Sequence, residues 1–239
     1  MKKLCGILRK IFSNCKRLFV LAGMLLPFLS NAGSGQPPKS ALERRIEKAG
    51  LVDVQTIDPT VAVRLVYATA DNFTGKILYD SLHRAYLLPH VARMVANAQK
   101  TLRSTNPDLR LIILDAVRPR NIQRKMWDKV KGTPLNIYVS NPVNTSLHNF
   151  GAAVDITIVD AKGRELDMGT PFDYFGEKAH INKEMLLLQQ GKLTEQQLQN
   201  RLLLRNAMKQ AGFRALPTEW WHFNACSREE AKAKYKVIE

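Results

Sequence analysis

Residues 151–159, Gly-Ala-Ala-Val-Asp-Ile-Thr-Ile-Val, are apolar along nearly their whole length and carry one charge, Asp155, in the middle. Strand alternation puts Ala153, Asp155, Thr157 and Val159 on one face and Val154, Ile156 and Ile158 on the other. A fold that buries such a strand must pair or ligate the carboxylate at its centre. His148 lies seven residues upstream, and Gly151 lets the chain turn between them, so that both side chains can be aimed at one ion. A second polar pair, Glu219 and His222, is embedded in Glu-Trp-Trp-His-Phe, where an unpaired charge is costly.

These residue types point to a metal. Zinc in a hydrolase typically takes three protein ligands from His, Asp or Glu and leaves a fourth position for water. The chain has five histidines, so the candidates are few. His148, Asp155 and His222 are the predicted ligands. Glu219, three residues before His222, is the predicted general base, able to take a proton from water and pass it to a departing amine. Taken singly, each has a blander reading, a packed core histidine or an aspartate paired with an arginine. The combination of two histidines and two acids in apolar segments favours the metal. His83 and His90 fall in a predicted helix and His180 in a loop, and all three read as surface or packing residues.

The ends and the bulk composition bound the rest. Six basic residues and no acid precede the apolar run 18–29, and Ser30-Asn31-Ala32 closes it with small residues. This is the pattern of a secretory signal peptide over 1–32, with export to the periplasm as the expectation. An uncleaved membrane tether is the alternative, although twelve apolar residues fall short of the roughly 20 that span a bilayer. Residues 33–39 read as a linker and 40–239 as one catalytic domain. Cleavage removes Cys5 and Cys15, leaving Cys226 without an internal disulfide partner. It also leaves 30 basic residues against 21 acidic, a net charge of about +9. No nucleic-acid recognition motif accompanies that charge, and no stable membrane insertion is expected after cleavage.

Periodicity predicts strands around the turn at Asp58-Pro59, an amphipathic helix over 82–102, and a buried strand over 109–117. It further predicts a helix over 121–130, the strand 151–159, two helices over 184–210 broken near Gly191, and an aromatic strand over 219–224. Strands and helices mix without regular alternation, which predicts an α+β fold, a central antiparallel sheet flanked by helices.

The segments Ser-x-His-x6-Asp and Glu-Trp-Trp-His resemble the zinc D-alanyl-D-alanine dipeptidases. Further matching segments are Tyr-Ala-Thr-Ala-Asp-Asn-Phe-Thr-Gly (67–75), Asp-Ala-Val-Arg-Pro (115–119) and Met-Gly-Thr-Pro-Phe-Asp (168–173). The resemblance implies one zinc ion on His148, Asp155 and His222, with Glu219 as general base and acid. It implies that Arg118 stabilises the oxyanion, that Asp173 with Tyr67 binds the substrate's free ammonium, and that Ser146 lines the pocket. The implied substrate is a small D,D-dipeptide, cleaved to free D-alanine. Two other readings stand beside it: a zinc D,D- or L,D-carboxypeptidase that trims longer peptidoglycan peptides, and a non-catalytic zinc- or wall-binding domain. The sequence carries no signal for oligomeric state.

Overall fold

The computed structural model describes residues 36–239. The expected leader, residues 1–32, and the first three linker positions lie outside the described residues. Helix α1 (Ala41–Lys48) begins where a capping box forms: the Ser40 hydroxyl accepts from Glu43 N, and the Glu43 carboxylate accepts from Ser40 N. Glu43 is also fully buried against Arg84, at 2.8 Å, which ties this helix to the body of the fold.

The chain then forms short elements, β1 (Val52–Asp53), α2 (Val54–Ile57), β2 (Ala62–Val63) and β3 (Tyr86–Leu87). The helix expected over 82–102 starts only at Pro89, as α3 (Pro89–Thr105). Proline disfavours helical backbone in the residue before it, and Leu88 is accordingly extended at ψ 143°. Residues 86–87 pair with β1 instead, and His83 lies outside the helix, exposed, while His90 stays on it and stacks on Tyr235. Most of the remaining elements follow the periodicity closely, namely β4 (Arg110–Asp115), α4 (Arg120–Val130), β5 (Ala153–Val159), α5 (Glu184–Gln189) and α6 (Glu195–Gln210). β6 (Arg214–Leu216), which periodicity does not predict, precedes the expected strand β7 (Glu219–Asn224), and α7 (Arg228–Lys234), also unpredicted, follows it.

Five strands form the central sheet in the order β2-β4-β5-β7-β6. All neighbours run antiparallel except β2, which joins the edge parallel to β4, so the fold is α+β around a mixed sheet. β5 occupies the middle, and all seven of its residues are buried. Its Val154, Ile156 and Ile158 belong to the main apolar core with Val91, Val95 and Leu102 of α3 and Leu204 and Met208 of α6. The opposite face carries Asp155. Among the described residues no helix is long and apolar enough to cross a membrane.

The sheet's register determines the chemistry that face can host. Asp155 lies opposite Asp115 on one side and His222 on the other, and residues directly opposite in antiparallel strands present their side chains together. Gly151 makes the turn into β5 possible with a left-handed φ of 67°. A Cβ there would lie 2.6 Å from Leu51 Cδ2 and 3.3 Å from the Leu88 backbone nitrogen. Gly151→Ala should therefore lower stability by roughly 1–3 kcal/mol, visible as an earlier urea midpoint. An unchanged midpoint would mean that the turn accepts a side chain.

Candidate metal centre and active site

His148 sits on a short 3-10 turn (Leu147–Phe150) between β4 and β5. Ser146 caps that turn, its hydroxyl accepting from His148 N at 3.4 Å, while Asn149 Oδ1 accepts from Ser146 N at 2.8 Å. Asn149 Nδ2 donates to the Arg118 carbonyl at 2.7 Å, and Arg118 N donates to the His148 carbonyl at 3.0 Å. The C-terminal segment adds a brace, with Ile238 N donating to Asn149 O and Ile238 O accepting from Arg120 N, both at 2.8 Å. The loop carrying His148 is thus fastened to the start of α4 by four hydrogen bonds.

The ring nitrogens have defined partners. His148 Nδ1 is 2.7 Å from the Ala116 carbonyl, which can only accept, so Nδ1 carries the proton and Nε2 holds a lone pair. His222 Nε2 is 2.8 Å from Asn224 Oδ1, which assigns its proton to Nε2 and leaves Nδ1 with the lone pair. These two lone-pair nitrogens are 3.2 Å apart. The Asp155 carboxylate completes the triangle, Oδ1 at 2.9 Å from His222 Nδ1 and Oδ2 at 3.4 Å from His148 Nε2.

Three lone-pair donors facing one another repel unless a cation lies among them. Ligand bonds of about 2.0–2.1 Å at tetrahedral angles put donor atoms about 3.3 Å apart, so the spacings fit a zinc-sized ion. The outer contacts to Ala116 and Asn224 are of the kind that orient metal-bound imidazoles. Burial opposes ionisation of Asp155, but positive charge on the ligand side outweighs it: with the imidazoles protonated the carboxyl is held well below the usual range, and a cation among the three donors would act in the same direction.

Glu219 reaches the same point by an irregularity. Residues three apart on a regular strand face opposite sides. Between β6 and β7, however, the adjacent residues Ala215 and Leu216 pair with Phe223 and Glu219, so β7 holds extra residues and the alternation breaks. Glu219 Oε2 lies 4.0 Å from His222 Nδ1. Burial pushes its carboxyl up to about 7; His222 and Arg118 act against that shift, and Asp155 and Asp173 add to it.

Arg118 is buried and oriented from two sides. Its Nε and Nη2 donate to Asp115 Oδ2 at 2.9 and 2.6 Å, and Nη1 donates to Gln123 Oε1 at 3.0 Å. Nη2 is also 3.6 Å from Asp155 Oδ2, and the guanidinium lies 5.5 Å from the centre of the Tyr67 ring. Asp115 is fully buried; its other oxygen accepts from Tyr79 Oη at 2.7 Å and Ala116 N at 3.0 Å. Tyr67 Oη donates to Asp173 Oδ2 at 2.8 Å. Asp173 adopts a left-handed φ of 58°, a strained conformation for a non-glycine residue. Burial pushes its carboxyl up to about 8, against the Tyr67 hydrogen bond.

All eight predicted site residues, Tyr67, Arg118, Ser146, His148, Asp155, Asp173, Glu219 and His222, line one cavity of about 410 Å³. His180 lies at its side, with Nε2 3.1 Å from Tyr138 Oη. Sequence reasoning gave no role to Asp115, Gln123, Asn149 or Asn224, which orient the site. Asp115 had the same signal as Asp155, a charge within an apolar strand. The others are amides, whose roles depend on which side chain or carbonyl each one meets.

A family model described as D-ala-D-ala dipeptidase, of the Peptidase M15 type, matches residues 47–237. The chain belongs to this family. It is 35% identical over 173 residues to a D-alanyl-D-alanine dipeptidase of Escherichia coli (strain K12), covering 72% of this chain and 83% of the relative. It is 30% identical over 164 residues to one from Synechocystis, covering 56% and 66% of the two chains. A relative of the same name from Enterococcus faecium is 29% identical over 175 residues, covering 66% and 82%. Membership makes the protein a peptidase acting on a small peptide, and M15 peptidases are metallopeptidases.

The native protein should hold one divalent ion per chain, and His148→Ala should lose it. Asn224→Ala, which frees His222 Nε2, should bind the ion about 10–100-fold more weakly. Metal analysis after titration with a chelator measures both, and full occupancy in His148→Ala would exclude it as a ligand.

Proposed function

We propose that this chain hydrolyses the D-alanyl-D-alanine dipeptide to free D-alanine, with one zinc ion held by His148, Asp155 and His222. The observation carrying this reading is the convergence of three lone-pair donors beside a buried glutamate, in a cavity whose wall also holds a partly buried aspartate. The names of the relatives supply the substrate. Zinc bound there supplies Lewis acidity, which acidifies water and polarises a carbonyl.

The chain's own groups carry the rest. Glu219 takes the proton of the attacking water and hands it to the departing amine. Its raised pKa suits both transfers, because a group poised near neutrality can accept and then release a proton. Arg118 keeps N–H groups on Nη1 and Nη2 beyond those given to Gln123 and Asp115, and these face the charge that develops on the carbonyl oxygen. The anchoring by Asp115 fixes their direction before substrate arrives. Asp173, oriented by Tyr67, binds the ammonium group and reads the free amino end. An incoming ammonium favours the ionised carboxylate there and offsets the effect of burial. Ser146 lines the same cavity while it caps the His148 turn.

We also infer that residues 40–239 form the catalytic domain and that residues 1–32 direct export to the periplasm. The start of α1 at Ala41 and the family match over 47–237 support the first boundary. The pattern of charge and hydropathy supports the leader.

Glu219→Gln should retain the metal and lose about 10²–10⁴ in kcat, since only proton transfer is removed. Near-normal turnover in that variant would exclude Glu219 as the base. In the native enzyme kcat/KM should fall as pH drops and Glu219 takes up a proton. Burial and the neighbouring charges together put the Glu219 carboxyl near 7, and a cation at the three ligands would draw it down towards the ordinary 4.5. A pH profile should therefore show an acid limb between these values, absent in Glu219→Gln. A flat native profile down to pH 4.5 would contradict the assignment. Free D-Ala-D-Ala should be hydrolysed and its amino-blocked form should not, and equal rates on both would favour a carboxypeptidase of longer peptides.

A further inference from the structure

The cavity wall next to Asp173 is built from rings contributed by three separate segments. Tyr67 meets Phe73 edge to face, with centroids 6.2 Å apart. Phe73 lies 4.9 Å from Phe175, two residues beyond Asp173. Phe175 in turn stacks on Tyr138 at 5.2 Å, with the planes only 3° apart. Tyr138 ends a 3-10 turn (Pro134–Tyr138), and its hydroxyl is 3.1 Å from His180 Nε2. The residue after His180 is tied to the β6–β7 hairpin, with Ile181 N donating to Pro217 O at 2.9 Å. The rings therefore form a continuous seam from the ammonium pocket to the hairpin that carries Glu219.

No strand of the central sheet contributes a ring to Phe73, Phe175 or Tyr138, so side-chain contact is what joins these segments. Each ring is partly buried and each lines the cavity. Aromatic pairs of this geometry stabilise a contact beyond the area they bury, which favours holding these three segments together.

We propose that the Phe73–Phe175–Tyr138 seam, latched by His180, is the specificity determinant that closes the cavity against peptides extended at the amino end. The inference rests on the dipeptidase reading, in which Asp173 holds the ammonium. Phe175 and Phe73 meet in the cavity wall beside Asp173, and in this proposal that wall occupies the space a residue added before the ammonium would need. Asp173 selects for the charge of a free amino end, and the seam denies space to anything beyond it. The two devices are chemically distinct. Loss of the seam admits a longer peptide without removing the carboxylate.

The test compares free D-Ala-D-Ala with Gly-D-Ala-D-Ala on the metal-loaded enzyme, scoring cleavage of the final D-Ala-D-Ala bond. The native enzyme should prefer the dipeptide. Tyr138→Ala and Phe175→Ala should each raise kcat/KM for the tripeptide in absolute terms, by about tenfold or more, the scale on which a pocket wall discriminates. Tyr138→Phe keeps the ring stack and removes only the His180 contact, so it should give a smaller rise. General disruption of the site would lower rates on both substrates, so an absolute gain on the tripeptide separates a specificity wall from a structural support. If tripeptide hydrolysis stays flat or falls in both alanine variants, the seam does not set specificity. A native enzyme that cleaves the tripeptide as well as the dipeptide would overturn the proposal too. Failure of the native enzyme on free D-Ala-D-Ala would instead overturn the dipeptidase reading, whatever the variants do.

Discussion

Two carboxylates lie side by side in the buried middle of the sheet, Asp115 on β4 and Asp155 on β5, and the surrounding structure is arranged to hold that charge. Like charges directly opposite one another destabilise a sheet, and burial makes the problem worse. Arg118 lies at the end of the same strand segment and bridges them, with close contacts to Asp115 and a longer one to Asp155. Asp115 is satisfied within the protein by Arg118, Tyr79 and a backbone amide. Asp155 faces two imidazole lone pairs instead, and that difference between neighbours separates a structural acid from a candidate ligand.

The same constraint fixes the rest of the site. Because Arg118 is anchored by Asp115 and Gln123, its free N–H groups have a set direction. Because Asn149 accepts from Ser146 and donates to Arg118, the turn bearing His148 cannot move independently of that arginine. His222 comes from the other neighbour of β5, and the extra residues in β7 bring Glu219 to the same side. Buried polar groups of this kind are costly unless every member is satisfied, and such networks are correspondingly rigid when they are.

Much of this was legible in the chain. The alternation of 151–159, the isolated Asp155 and the polar pair in 219–222 pointed to side chains that the structure brings together and to the strands that carry Asp155 and His222, because a charge in an apolar strand has few physical outcomes. The start of α3 was misread because apolar spacing at 82–88 continues the helical period, while the proline at 89 and pairing with β1 override it. The parallel placement of β2 depends on a contact between residues about fifty apart, which local patterning does not encode. Ser146 has a capping role because its Oγ faces a backbone amide, a geometry that composition leaves open. Asn224 and Gln123 were invisible for a related reason: an amide acquires its meaning only from the partner it meets.

The charges in and around the cavity give the arrangement its direction. Asp115, Asp155, Asp173 and Glu219 surround the guanidinium of Arg118, and Arg228 lines the cavity as well, so with neutral imidazoles and ionised acids the set carries a formal charge of −2. Burial, with the neighbouring acids adding to it, pushes Asp173 and Glu219 upward, and these are the two acids without a cationic side chain in close contact. A divalent cation at His148, Asp155 and His222 would bring that sum to zero, and a dipeptide with both ends charged would leave it there while its ammonium paired with Asp173. In the proposed mechanism Glu219 is then the only acid of the four without a fixed positive partner, which suits it to exchange its proton during turnover.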